Sequence, residues 1–233
     1  MSVLPYLALV ALTAGIIGIL LIGLQRQNIP AAVNALVSLL LSLVPVLIDV
    51  VNWFAFDRGI ALGPELPLAI ALIGLLHSYG MLGPYDEIWW WDHLTHTLAA
   101  GLIATLIYSA LTATLSVSAP LIGVLTVLFT LALGIFWELI ELAAREFGKR
   151  HDIEPVLVHY GLRDTILDLF FDLLGAMAVV VLGLRPFVAV AEDFPITTRM
   201  LLGGTAMVVV FGSIVLVVVT RYLLIRNRSS DVG

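Results

Sequence analysis

The sequence predicts an all-α fold, a polytopic membrane helix bundle of about seven transmembrane helices. Hydrophobic residues make up 61% of the 233 positions and charged residues only 12%, a balance typical of membrane proteins. The apolar residues are gathered into runs of about 20, the length that an α-helix needs to cross a bilayer. We therefore expect one transmembrane domain over residues 1–233, in the cell membrane and surrounded by membrane lipids.

Seven apolar runs, separated by short polar or Gly/Pro-rich breaks, are candidate spans: 4–24, 31–53, 66–82, 93–115, 120–142, 165–184 and 200–224. The first run lacks a basic start and a small-residue cleavage site, so we interpret it as a retained helix and not as a signal peptide. Lys and Arg divide eight against three between alternate loops, with the larger group on the side of the C-terminus. This division predicts a cytoplasmic C-terminus and, with seven crossings, an N-terminus outside. The most polar loop is predicted between Arg145 and Arg163.

Composition also excludes several classes of function. The formal net charge is −6, which offers no basic surface for nucleic acid. The chain has no cysteine, which excludes disulfides, thiolate nucleophiles, iron–sulfur clusters and Cys-ligated zinc. The common metalloprotease, Walker and nucleophile-elbow motifs do not occur. Any metal must therefore be held by His, Asp or Glu.

Ionisable residues within spans are costly, so each is a functional candidate, and here they gather at three helix ends. Spacings of three and four residues place them on shared helical faces. The predicted topology brings all three ends, together with His77, to the cytoplasmic side. The candidates are Asp92, His93 and His96 at the start of the fourth helix, Glu138 and Glu141 at the end of the fifth, and Asp164, Asp168 and Asp172 at the start of the sixth.

The charge of this set predicts a bound cation. The six carboxylates, set against the adjacent Arg145 and Arg163, leave a formal charge of −4. Carboxylates crowded in a low-dielectric environment must either take up protons or bind cations, and two divalent ions would balance the count. Carboxylate oxygens suit Mg²⁺ or Mn²⁺, whereas His93 and His96 move the preference toward Mn²⁺, Zn²⁺ or Fe²⁺. All eight residues are candidate ligands.

Structural roles compete with this interpretation. Instead of binding a metal, the deeper residues of the set could form a polar network of hydrogen bonds that holds three helices together. Glu141 and Arg145 have the spacing of an ion pair within one helix, and Asp164 is placed to interact with a helix dipole. We expect His151 and His159 to be exposed in a polar loop, with His159 an outside candidate as a ligand. Gly101 and Gly175 are expected to permit close helix packing.

The ordered motifs resemble those of the YjdF-like family of integral membrane proteins. They are Asp92-x3-His96, Trp137-Glu138-x2-Glu141 and Asp164-x3-Asp168-x3-Asp172-x2-Gly175, within residues 70–184. The sequence is more distantly similar to VanZ-like proteins, in which a Lys, a Gln and an Asn typically occupy the positions of His93, Glu141 and Asp172. The resemblance implies the fold and the position of the site. It implies no particular activity.

Three functions fit this pattern. The first is a metal-dependent hydrolase or transferase that acts on a lipid or lipid-linked phosphate at the cytoplasmic leaflet, with Glu138, Glu141 or Asp168 as the catalytic base. The second is a cation or proton-coupled transporter that uses the same carboxylates. The sequence has no evident internal repeat, which argues against the transporter. The third is a non-catalytic membrane scaffold.

Overall fold

The structure is a computed structural model, and it describes residues 3–55, 62–151, 156–157 and 161–230. Within these ranges the regular structure is entirely α-helical, which confirms the predicted fold class. The helices are α1 (Leu4–Gln25), α2 (Ile29–Ala55), α3 (Glu65–Gly80), α4 (Pro84–Glu87), α5 (Trp91–Thr114), α6 (Ala119–His151), α7 (Leu162–Leu182), α8 (Val188–Asp193) and α9 (Pro195–Ser230).

Six of these helices, α1, α2, α5, α6, α7 and α9, are long and apolar enough to cross a membrane. The third predicted span, 66–82, corresponds to α3, which is apolar but has only 16 residues. A helix of that length measures about 24 Å, less than the hydrocarbon core of about 30 Å. The structure thus contains six full-length candidate spans and one shorter apolar helix.

Two predicted helix ends were wrong because helices extend beyond their apolar runs. The fifth predicted span ended at residue 142, but α6 continues to His151, so the residues from Arg145 to His151 are helical and not in a loop. Ala, Arg, Glu and Lys in this stretch favour helix, and basic residues in its last turn interact favourably with the helix dipole. Similarly, α9 begins at Pro195, before the last predicted span, which starts at residue 200. His151 is exposed, as expected.

The chain forms two compact units, Met1–Thr95 and His96–Gly233, and the boundary falls after the first turn of α5. In the first unit, α1, α2 and α3 pack against one another around Ile16, Ile19, Ala35 and Ala71. Small residues bring the helices close together. A Cβ on Gly74, for example, would lie 2.6 Å from the Cβ of Ser38.

The second unit contains the remainder of α5 together with α6, α7, α8 and α9. Its apolar core joins α5, α6 and α7, and α9 packs against α6. Gly183 ends α7 in the left-handed conformation, with φ of 64°, which glycine adopts without strain. The buried core residues are Ala104, Ile107, Tyr108, Leu111, Ile122, Ala176 and Val179.

Candidate functional site

The acidic stripe of α7 is buried within the second unit. Asp168 is 2% exposed and Asp172 is 5% exposed, while Asp164 lies in the first turn of the helix and is half-buried. The four-residue spacing places the three carboxylates along one face, as the sequence predicts. Buried carboxylates are rare unless a partner or an ion compensates their charge, so the surroundings of this stripe define the candidate site.

His96 of α5 meets this stripe directly. Its Nδ1 atom lies 3.2 Å from Oδ1 of Asp172, and both side chains are largely buried. A ring nitrogen of His96 also lies within 4.8 Å of a carboxylate oxygen of Asp168. His96 of α5 and Asp168 of α7 each offer a ligand atom close enough to share one cation, and Asp172 contacts the same imidazole.

Three glutamates of α6 are also buried in the second unit, and one of them, Glu146, pairs with Lys149 at 3.0 Å. Glu138 is 6% exposed, and its Oε2 accepts a hydrogen bond of 2.6 Å from the hydroxyl of Thr165 in α7. It also lies within electrostatic range of His96, Asp164 and Asp172. Glu138 thus belongs to the same cluster as the α7 stripe.

Glu141 has a different contact. It is 8% exposed, and its Oε1 accepts a hydrogen bond of 2.8 Å from the indole nitrogen of Trp137, one turn earlier in α6. The spacing of four residues makes this contact local to the helix. This hydrogen bond supports a structural role for Glu141, and its predicted role as a ligand or base stays a prediction.

Glycines allow the helices to approach closely at the site. A Cβ on Gly134 of α6 would overlap Oδ2 of Asp172, so the carboxylate occupies the space that a side chain would fill. A Cβ on Gly175 would overlap the backbone oxygen of Thr97 and lie 3.0 Å from the backbone nitrogen of Gly101. These contacts fix α7 against α5 and α6 at the level of the carboxylates.

Asp92 and His93 belong to the first unit, in the first turn of α5. The backbone oxygen of Asp92 accepts a hydrogen bond of 2.8 Å from the hydroxyl of Thr95. The ring of His93 packs edge-on against Trp89, with 6.3 Å between their centroids. Asp92 precedes His96 by one helical turn, so helix periodicity places both side chains on one face of α5.

His77 belongs to the first unit, where it makes contacts of its own. His77, in the first unit, interacts through Nδ1 with the hydroxyl of Tyr85 at 2.5 Å. The same hydroxyl lies 3.2 Å from that of Thr95. His159 lies outside the described residues.

Sequence reasoning missed Thr165 and Gly134. Thr165 is flanked by the acidic residues of α7 and lies three residues before Asp168, which places the two on one helical face. That spacing was the available signal, because a hydroxyl on an acidic face is a natural hydrogen-bond donor to a facing carboxylate. Gly134 gave no such signal, because its role depends on which helix packs against it.

The helices and the buried polar cluster define a multi-pass integral membrane protein. Residues 6–188 match the family model described as "Predicted membrane protein (DUF2238)", and the chain belongs to that family. This membership is consistent with the YjdF-like resemblance, while the more distant similarity to VanZ-like proteins stays a prediction. No curated protein and no solved structure matches the chain.

Proposed function

We propose that the protein is a metal-dependent hydrolase or transferase that acts on a lipid or lipid-linked phosphate at the cytoplasmic leaflet of the cell membrane. The observation that carries this proposal is the proximity of His96 to two buried carboxylates: its Nδ1 lies 3.2 Å from Asp172, and a ring nitrogen lies within 4.8 Å of an oxygen of Asp168. One nitrogen and several oxygen ligands suit Mn²⁺ and Zn²⁺, and they are compatible with Mg²⁺.

Burial favours a cation over a network of hydrogen bonds alone. Glu138, Asp168 and Asp172 are each at least nine-tenths buried, and ionised carboxylates at that depth repel one another. A divalent ion would offset two of these charges while leaving the carboxylates as ligands. Asp92, on the same face of α5 as His96, is the additional ligand that helix periodicity favours.

The same residues suit reaction at a phosphate ester. A divalent ion supplies a Lewis acid for a phosphate oxygen and lowers the pKa of a bound water. We assign Glu138, whose carboxylate accepts the hydrogen bond of Thr165, as a further ligand, and Glu141 or Asp168 as the general base. Arg145 at the end of α6 and Arg163 at the start of α7 would bind the anionic headgroup.

Elemental analysis of the purified protein tests the metal. We expect the parent protein to copurify with a divalent ion, and Asp168→Asn and Glu138→Gln to lose most of it. Asp193→Asn, at an exposed carboxylate of α8, is the matched control and should retain the ion. If the parent contained no metal and the three variants were as stable as the parent, the result would instead support protons shared among the buried carboxylates.

Reconstitution in liposomes tests the reaction. Release of phosphate from lipid phosphates that stops in Asp168→Asn would support the enzyme. Flux of Mn²⁺, Zn²⁺ or protons that stops in the same variant, without lipid turnover by the parent, would support a transporter. If the metal-loaded parent showed neither lipid turnover nor ion flux, the result would support a scaffold.

A further inference from the structure

The hydroxyl of Thr165 makes a different kind of contact from the hydroxyls of five other threonines in the second unit. In α5 and α6, five threonine hydroxyls donate to the backbone oxygen four residues earlier in their own helix. Thr165 of α7 instead donates across to Glu138 of α6, at 2.6 Å and over a separation of 27 residues. The five are Thr105, Thr112, Thr114, Thr126 and Thr130.

The contact within the helix is the usual one in an apolar environment, because it satisfies the hydroxyl without a tertiary partner. The carbonyl of Gly161, four residues before Thr165, accepts the backbone N–H of Thr165 at 3.1 Å as in any helix, while the hydroxyl donates to Glu138 instead. The hydroxyl therefore links two helices at a buried carboxylate. Such a link restricts the rotation of the carboxylate.

We infer that Thr165 is a positioning residue for Glu138, an inference that rests on the proposed metal-dependent function. An ionised carboxylate accepts hydrogen bonds and cannot donate them, so the hydroxyl proton points at Oε2. This bond restrains the carboxylate of Glu138, which lies within electrostatic range of His96 and Asp172. Hydrogen bonds to a metal ligand commonly strengthen metal binding by about 10-fold to 100-fold.

The test compares variants of the full-length protein in detergent, freed of copurified metal with a chelator and then titrated with Mn²⁺. Thr165→Val removes the hydroxyl at nearly constant volume, and we expect it to weaken Mn²⁺ binding by about 10-fold. Thr165→Ser keeps the donor and should restore parental affinity. Thr126→Val is the matched control, because it removes a fully buried hydroxyl that bonds only within α6, and its affinity should equal that of the parent.

The outcomes distinguish this inference from the proposed function. If the parent binds Mn²⁺ and Thr165→Val binds it equally well, the positioning role is overturned while the metal site stands. Equal losses in Thr165→Val and Thr165→Ser would also overturn it, since the hydroxyl would then not be the relevant group. A parent that binds no Mn²⁺ overturns the metal-dependent function, and the positioning role with it. Loss in Thr165→Val with rescue in Thr165→Ser supports the inference.

Discussion

The carboxylate of Asp172 lies directly against the backbone of Gly134, in the space that a side chain at that position would occupy. Asp172 is also the residue whose Oδ1 lies 3.2 Å from His96. Because Gly134 of α6 has no side chain, Asp172 of α7 can reach His96 of α5. The approach of three helices at this point makes the site sensitive to small changes in packing.

We expect Gly134→Ala to destabilise the protein by about 1–3 kcal/mol, because the added methyl displaces a buried carboxylate. Gly203→Ala in α9 is the matched control, since a Cβ there meets nothing within 4 Å. Alanine is favoured over glycine in a helix by up to about 1 kcal/mol, so the control should be neutral or stabilising. Thermal unfolding in detergent gives both values. A Gly134→Ala variant as stable as the control would contradict the close contact.

Gly175 and Gly101 face each other but should respond unequally to substitution. A Cβ on Gly175 would overlap the backbone of Thr97, whereas the nearest atom to a Cβ on Gly101 is 3.9 Å away, which is ordinary contact. Backbone atoms cannot rotate away as side chains can. We therefore expect Gly175→Ala to lower the unfolding temperature and Gly101→Ala to leave it nearly unchanged. Equal effects of the two substitutions would contradict this description of the crossing.

The two histidines at the start of α5 should differ in metal binding. His96 contacts Asp172, whereas the ring of His93 packs edge-on against Trp89. We expect His96→Gln to weaken Mn²⁺ binding by at least about 10-fold, the effect typical of losing a group in a metal site. We expect His93→Gln, at the other predicted ligand, to bind nearly as well as the parent, and His151→Gln, at an exposed histidine outside the predicted set, is the matched control. Isothermal titration measures these affinities, and a larger loss at His93 would assign the ligand to that residue.

The sequence predicted much of the fold because apolar runs and intramembrane charge are local signals. The stripe formed by Asp164, Asp168 and Asp172 follows from spacing alone. Helix ends were less predictable, because hydropathy detects the membrane boundary while α6 continues as a polar helix to His151. The contact between Thr165 and Glu138 was not predictable, because it depends on how two helices pack.

Whether α3 crosses the membrane determines on which side of the membrane the N-terminus lies. Although α3 has only 16 residues, it packs against both α1 and α2, and a short span can cross where the bilayer thins. If α3 crosses, three crossings separate Gln25 from Ser118 and four separate Gln25 from His151. We therefore expect Gln25 and His151 to face the cytoplasm and Ser118 to face the outside.

Single-cysteine variants test this expectation. The chain has no cysteine, so Gln25→Cys, Ser118→Cys and His151→Cys each carry a single thiol, and all three positions are exposed. An impermeant maleimide applied to intact cells should label only Ser118→Cys, while all three should react after permeabilisation. Labelling of both Gln25→Cys and Ser118→Cys in intact cells would show that α3 does not cross and that the predicted position of the N-terminus is wrong.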